Sequence, residues 1–247
     1  MSSKQRIDGQ PAFVLHSHPY SETSLIVDIF SRDHGRLPLL ARGARRPRAA
    51  LRGVLHAFQP LELGWFGAGE VRTLAKADWI GGMPLLGGRA LMLGYYLNEL
   101  LLRLLPREDA HPRLFDHYAA TLQGLSRPQS TEEMNAPRLL RRFEKHLLGE
   151  LGYGLQLEQE TQTGQALQAE GLYHYRLEHG PTPLHQSAAA PSPALHGKTL
   201  LDLANDDYTD TRTLSEAKQL MRRLIQHHLA GQSLQSRRIF MELQELS

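Results

Sequence analysis

Short segments of alternating apolar and polar residues occupy roughly the first eighty positions of the chain. Such segments, rich in β-branched and aromatic side chains and separated by turn residues, are typical of strands. The pattern predicts five strands, over residues 12–18, 24–31, 36–42, 60–66 and 71–80. Closely spaced strands of this kind predict a small barrel. Because Pro38 lacks a backbone donor, we expect the third strand to lie at an edge or to be bulged there.

Helical periodicity, with apolar residues three and four positions apart, takes over in the rest of the chain. The run 91–105 is apolar nearly all round, which predicts a buried helix that ends at Pro106. Apolar stripes predict two further helices, one along 114–125 and one along 139–151. The stretch 127–137 between them is interpreted as a loop.

Residues 154–211 show no clear period and hold eight acidic residues against two basic ones. We interpret them as an irregular insert, either a solvated and partly mobile loop or a docking face. A capping box at Thr213–Glu216 predicts that a helix starts after the insert. A last helix is expected to turn Ile239, Phe240 and Leu243 inward.

Positive charge is concentrated in one segment of this chain, whose 247 residues carry a net charge of only +2. Between Arg32 and Arg52 stand seven arginines and a single aspartate, so the remainder of the chain is net negative. The planar guanidinium fork suits phosphate, and so dense a group of arginines repels itself unless an anion is bound. The segment therefore indicates binding of nucleic acid or another polyphosphate, against the simpler alternative of a solvated charged face.

Several function classes find no support in the sequence. The chain has no cysteine, which excludes disulfides and thiolate metal sites. It shows no apolar signal-peptide core at its start and no run of the roughly 20 apolar residues that a membrane span needs, so we expect a cytoplasmic protein. Catalytic motifs are missing too: His16 with His18, or Glu22 with Asp28, are imaginable acid/base pairs, but no nucleophile accompanies them. We expect neither catalysis nor a cofactor.

Five segments along the chain form an ordered pattern. They are AFVLHSHPYSETSLIVDIFSRDHGRLPLLARGARRPRAALRG, FQPLELGWFGAGEVRTL, GYYLNELLLRLLPREDAHPRLFDHY, LRRFEKHLLGELGYGL and LAGQSLQSRRIF. In this order they resemble the RecO family of bacterial recombination mediators. The resemblance covers most of the chain and weakens between about 155 and 211.

The resemblance implies an α+β multidomain protein, with an N-terminal five-stranded OB-fold barrel over residues 1–82. An all-helical domain over residues 83–247 would hold the irregular insert. The resemblance also implies binding of single- and double-stranded DNA, annealing of complementary strands and joint action with RecR. The acidic tail of the single-stranded DNA-binding protein would be a further partner, through which RecA is loaded onto coated DNA. Two alternatives stay open: an OB-fold RNA-binding protein, and an adaptor without annealing activity.

Particular residues are predicted for each role. The predicted DNA contacts are Arg36, Arg42, Arg45, Arg46, Arg48 and Arg52, with Arg72 and Lys76 as outer contacts. Tyr20 is the aromatic residue most expected to be exposed, where a base can stack on it. An acidic tail with apolar end residues fits cations beside an apolar stripe, which points to Arg138, Arg141, Arg142 and Phe143. Arg141 is the first choice, with a salt bridge from Arg141 to Glu144 or Glu108 as the alternative.

Some RecO proteins carry a four-cysteine zinc site just after the segment that matches LGYGL. This chain has no cysteine there, and only His174, His179 and His185 remain. Their spacing fits no tetrahedral zinc motif. We therefore predict an insert without metal, held by packing alone.

Overall fold

The structure, a computed structural model, describes residues 6–127, 132–184 and 193–245. Contacts within the chain divide it into two units, one of residues 1–128 with 234–247 and one of residues 129–233. The first unit contains the strands β1 to β5 and the helices α1, α2 and α6, and the second contains the other elements.

Five strands close into a barrel at the start of the first unit. They are β1 (Arg6–Tyr20), β2 (Ser24–Ser31), β3 (Gly35–Ala41), β4 (Leu61–Phe66) and β5 (Arg72–Trp79). The order around the barrel is β1-β2-β3-β5-β4, and all neighbours are antiparallel except β3 and β5. The predicted five-stranded barrel is confirmed.

The predicted irregularity at Pro38 is only partly present. The β2–β3 register runs through Pro38 without a shift, so the strand has no bulge there. The parallel pairing of β3 with β5 covers only Leu39 and Leu40 and begins one residue after Pro38. At Pro38 the strand β3 has no partner residue in β5, so the missing N–H of Pro38 removes no hydrogen bond from the β3–β5 pairing.

Consecutive residues are buried in the middle of β1, from Ala12 to Leu15, and at the end of β2, from Ile29 to Ser31, which a strict alternation of apolar and polar residues does not predict. Residues such as Val14 and Ile29 fill the barrel interior. On the outer face, the ring of Phe13 lies 5.4 Å from the ring of Phe115 and 5.2 Å from that of Tyr118, measured between centroids. These contacts attach the helix α2 (Pro112–Leu125) to the barrel, and the helix α1 (Gly88–Leu104) is attached by Asn98, whose side chain donates to the carbonyl oxygen of Leu15 at 2.8 Å. The first unit therefore includes helices beyond residue 82, where the sequence placed the domain boundary.

The last helix, α6 (Gln235–Glu245), is anchored by a carboxylate of α1. Glu99 accepts hydrogen bonds from the backbone N–H groups of Gln235 and Ser236, at 2.9 and 2.8 Å, and from the Ser236 hydroxyl at 2.6 Å. Ser236 is buried, whereas Ile239 is 43% exposed, so the prediction that Ile239 points inward is wrong. The Leu243 side chain lies outside the described residues.

The second unit begins with α3 (Glu132–Glu150). The helix includes Pro137, so the prediction of a loop over 127–137 is wrong from Glu132 onward. Pro137 is the sixth residue of α3, where a proline costs about 3 kcal/mol through a lost hydrogen bond and a ring clash. The buried side chains Leu140, Phe143 and Leu147 offset this cost. Gly152 follows the helix with a φ of +82°, the left-handed conformation with which many helices close.

The segment predicted to be irregular contains a small folded structure. The strands β6 (Leu172–Arg176), β7 (Gly180–Pro183) and β8 (Leu195–His196) form an antiparallel sheet, followed by α4 (Gly197–Ala204) and α5 (Thr211–His228). Leu200, Leu203 and Leu224 are among the side chains that share one apolar core with β6. Residues 154–171 form no helix or strand, as predicted, but the prediction of an irregular insert misses the elements between Leu172 and Ala204, because strands of two to five residues are too short to show a period.

The predicted capping box does not start α5. Asp210 is the N-terminal cap, and its carboxylate accepts a hydrogen bond from the N–H of Arg212 at 2.8 Å. The Thr213 hydroxyl donates instead to Asp202, and Glu216 accepts from the hydroxyl of Thr199.

Among the described residues, no helix is both long and apolar enough to cross a membrane.

Candidate nucleic-acid interface

The loop after β3, residues 42–54, is the arginine loop. Its apolar residues Ala44, Leu51 and Val54 pack against the barrel core. Backbone hydrogen bonds from Arg46 to Gly43 and from Ala49 to Arg46, both 3.0 Å, fold it into successive turns. A short 3₁₀ helix then spans Ala50–Gly53. The backbone of the loop is therefore held in place by the barrel before any ligand arrives.

Five arginine side chains of this loop are exposed: Arg42, Arg45, Arg46, Arg48 and Arg52. Within the described part of the chain, the guanidinium groups of all but Arg45 have neither an ion pair nor a hydrogen bond. Arg42, Arg46 and Arg48 line an open depression of about 630 Å³ together with Gly43, Pro47 and Ala49. The loop thus presents unneutralised cations around a concave surface, as a polyanion requires.

Arg45 connects the arginine loop to the turn between β1 and β2. Its backbone N–H donates to the carbonyl oxygen of Thr23 at 2.9 Å, and its guanidinium donates to that of Ser21 at 3.0 Å. Tyr20, directly before this turn, is 52% exposed, as predicted. An exposed aromatic ring therefore neighbours the turn on which Arg45 is fixed, a combination suited to a stacked base and its phosphate.

Arg36 does not belong to this exposed group. Its side chain is 14% exposed, and its Nε and Nη2 donate to the carbonyl oxygen of Leu105 at 3.2 and 3.0 Å. Burial lowers the pKa of the Arg36 guanidinium, although Asp28, 4.0 Å away, acts in the opposite direction. Arg36 therefore holds the end of α1 to the barrel, a role that the sequence did not indicate because Leu105 is 69 positions away.

Both predicted outer contacts face carboxylates. Arg72 forms an ion pair with Glu108 at 2.7 Å. Lys76 forms one with Asp78 at 2.5 Å, and the hydrogen bond and charge of Asp78 raise the pKa of Lys76. Asp78 is two residues from Lys76 on one strand, so their shared face was a signal that the sequence offered. Glu108 lies 36 positions from Arg72, so nothing in the sequence indicated that these two residues pair.

The four residues predicted for the acidic tail do not form an exposed surface together. Arg141 is buried with Glu144, 2.7 Å from it, which is the alternative that the sequence left open. Phe143 is buried in the same helix, and Arg138 is half-buried. Arg142 is exposed but lies 3.7 Å from Asp206. The part of these residues in partner binding stays a prediction.

The histidines of the insert are not grouped as metal ligands. His174 is buried in β6, the Nδ1 of His179 lies 3.0 Å from the carbonyl oxygen of Leu177, and His185 is outside the described residues. The group of three metal-ligating side chains found in the described part of the chain is elsewhere, on β1 and β2.

The closed five-stranded barrel of the first unit belongs to the OB-fold class. The family described as "Recombination protein O N terminal" matches residues 7–83, and "Recombination protein O C terminal" matches residues 87–238. The chain belongs to the RecO family, as the resemblance of its segments predicted.

Relatives are similar over the full length of the chain. A protein of Azoarcus sp. (strain BH72) is 54% identical over 250 residues, and one of Dechloromonas aromatica (strain RCB) is 55% identical over 246 residues. A third, from Aromatoleum aromaticum, is 56% identical over 246 residues. Each alignment covers 100% of both chains, and each relative is called "DNA repair protein RecO".

Proposed function

We propose that this chain binds DNA in DNA repair, anneals complementary strands and mediates the loading of RecA together with RecR and the single-stranded DNA-binding protein. The name of its relatives, DNA repair protein, supports the role in repair. The observation that carries the binding proposal is the arginine loop, with its five exposed arginines on an anchored backbone.

The arginine loop would grip the phosphates and leave the bases free. Guanidinium forks neutralise phosphate charge, and contacts to the backbone carry no sequence information. Because packing of Ala44 and Leu51 already fixes the backbone of the loop, binding has to order only the arginine side chains. A stacked base on Tyr20 would add affinity without occupying the base-pairing edge.

Annealing follows from the same arrangement. Two DNA strands repel each other through their phosphates, and a protein that neutralises phosphates on one strand lowers this repulsion. The base edges stay accessible to the second strand because the contacts are to the backbone. This process needs no catalytic group and no cofactor, and we propose that the protein is not an enzyme.

The proposed partner surface for the acidic tail is narrower than the sequence suggested. Arg141 and Phe143 are buried and Arg138 is half-buried, so of the predicted set the exposed Arg142 is the side chain we retain. Replacing Arg142 by Glu should weaken binding of an acidic peptide, measured by fluorescence anisotropy. The same change at exposed Arg222 on α5 serves as the control. Equal binding by both variants and the unaltered protein would remove Arg142 from the site.

Annealing of two complementary oligonucleotides, one carrying a fluorophore and the other a quencher, tests the proposed function. The protein should accelerate pairing, and the variant with Arg45, Arg46 and Arg48 changed to Ala should do so less. Unlabelled single-stranded DNA should compete better than RNA of the same sequence. Better competition by RNA would favour the RNA-binding alternative, and binding without acceleration would favour the adaptor.

A further inference from the structure

Three side chains that can bind a metal ion come together on the barrel. His16 and His18 lie two residues apart on β1, and Asp28 on β2 is directly opposite His16. One ligand atom from each of them lies within 4.8 Å of the other two. None of the three belongs to the arginine loop.

A β-bulge produces this grouping. The β1–β2 register shifts between Val14 and His16, and the intervening Leu15 is buried. The carbonyl oxygen of Leu15 accepts a hydrogen bond from the buried Asn98 at 2.8 Å, which holds the bulge in place. A bulge re-aims the side chains that follow it. His16 and His18, two residues apart on the strand, share one exposed face with their ring centroids 5.9 Å apart, and the bulge places Asp28 opposite His16.

The polar atoms of the group have few competing partners. In the described part of the chain, the imidazoles of His16 and His18 and the carboxylate of Asp28 make no hydrogen bond. The Asp28 side chain is only 15% exposed, and its nearest cation is Nη1 of Arg36 at 4.0 Å. That guanidinium already donates through its other nitrogens to Leu105. A half-buried carboxylate without a donor is costly, and a bound cation would relieve this cost.

We propose that His16, His18 and Asp28 form a binding site for one divalent transition-metal ion of the zinc type. Two imidazole nitrogens and one carboxylate oxygen are ligands that Zn²⁺ accepts, and three protein ligands leave a position for water. Ligand atoms about 2 Å from a tetrahedral Zn²⁺ are roughly 3.3 Å from each other. The present separations of up to 4.8 Å exceed that distance, so binding would require the side chains to rotate toward a common centre.

The ion would join β1 to β2 across the barrel surface. The site differs in place and in ligand type from the four-cysteine site of some RecO proteins. It also revises the expectation from the sequence, which weighed His16 and His18 only as an acid/base pair. The pairing of His16 with Asp28 depends on the strand register, which the sequence alone does not state.

Isothermal titration of the full, chelator-treated chain with ZnCl₂ tests this site. We expect one ion per chain, and His16→Ala and His18→Ala should each weaken binding by about tenfold or more. Asp28→Asn should do the same, while His56→Ala, which removes an exposed histidine in another segment, should bind as the unaltered chain does. MgCl₂ should give no saturable binding, because Mg²⁺ prefers oxygen ligands.

A thermal melt gives a second readout, because an ion that binds only the folded chain raises the Tm. Zn²⁺ should raise the Tm of the unaltered chain and of His56→Ala but not that of the double variant His16→Ala/His18→Ala. Absence of saturable binding by the unaltered chain, or undiminished binding by the double variant, would overturn the proposal. Both histidines are exposed, so the decision does not depend on whether Asp28→Asn folds.

Discussion

Simultaneous replacement of Arg45, Arg46 and Arg48 by Ala should flatten the salt dependence of single-stranded DNA binding. Each phosphate contact with a single strand contributes about −0.7 to the slope of log affinity against log salt. If all five exposed arginines of the loop each contact one phosphate, the slope is about −3.5, and loss of three contacts leaves about −1.4. Between 50 and 200 mM salt, affinity should then fall about 130-fold for the unaltered chain and about 7-fold for the variant.

Fluorescence anisotropy with a short labelled single strand, titrated at several salt concentrations, measures both slopes. The matched control replaces Arg6, Lys198 and Arg238 by Ala. It removes the same number of positive charges, but from exposed side chains that are paired with Asp8, Asp202 and Glu242 and that lie outside the predicted DNA contacts. Exposed pairs of this kind contribute little to stability, so the control should fold.

The control variant should keep the slope of the unaltered chain. Equal flattening by both variants would mean that DNA responds to net charge and not to the arginine loop. An unchanged slope in the loop variant would refute the assignment of the loop as the phosphate-binding surface.

Three predictions concern folding, each measured by urea unfolding of the full chain. Glu99→Gln should cost about 1–2 kcal/mol at neutral pH by weakening the cap of α6. Burial raises the pKa of Glu99, but the hydrogen bonds that the carboxylate accepts have the larger combined effect, so the pKa is lowered overall. The stability that the ionised Glu99 contributes is therefore lost as pH falls through its folded-state pKa. Arg141→Ala should cost about 3 kcal/mol, because it takes the cation from buried Glu144. Gly35→Ala should destabilise the fold more than Gly9→Ala. Both glycines have left-handed φ angles, where a side chain costs about 1 kcal/mol, but only at Gly35 would the added Cβ also lie 2.0 Å from a backbone oxygen, that of Asp109.

Each of these has an outcome that would contradict it. The cap would be contradicted if Glu99→Gln and the unaltered chain still differed in free energy of unfolding at a pH well below the range in which carboxylates titrate. Unchanged stability of Arg141→Ala, with loss of acidic-peptide binding, would restore Arg141 as a partner residue. Equal destabilisation at Gly35 and Gly9 would show that the turn at Gly35 moves to accept a side chain.

The elements that the sequence predicted well are those with a long local period. The barrel strands and the stripe of α2, from Leu114 to Leu125, follow directly from side-chain spacing. The part it missed lies in residues 172–204, where three strands of two to five residues and a helix of eight residues are each too short to show a period. Their stability comes from a core shared with α5, which local pattern does not reveal.

The sequence by itself determined that a small barrel carries a cluster of arginines just after its third strand, since spacing and charge are local properties. Only the tertiary structure decided which arginines face solvent. Arg36 bonds to Leu105, Arg72 pairs with Glu108 and Arg141 with Glu144, whereas the arginines of the arginine loop meet no carboxylate among the described residues. Hydrogen bonds and ion pairs act over a few ångströms, and those distances are set by how the chain folds back on itself and not by position along it.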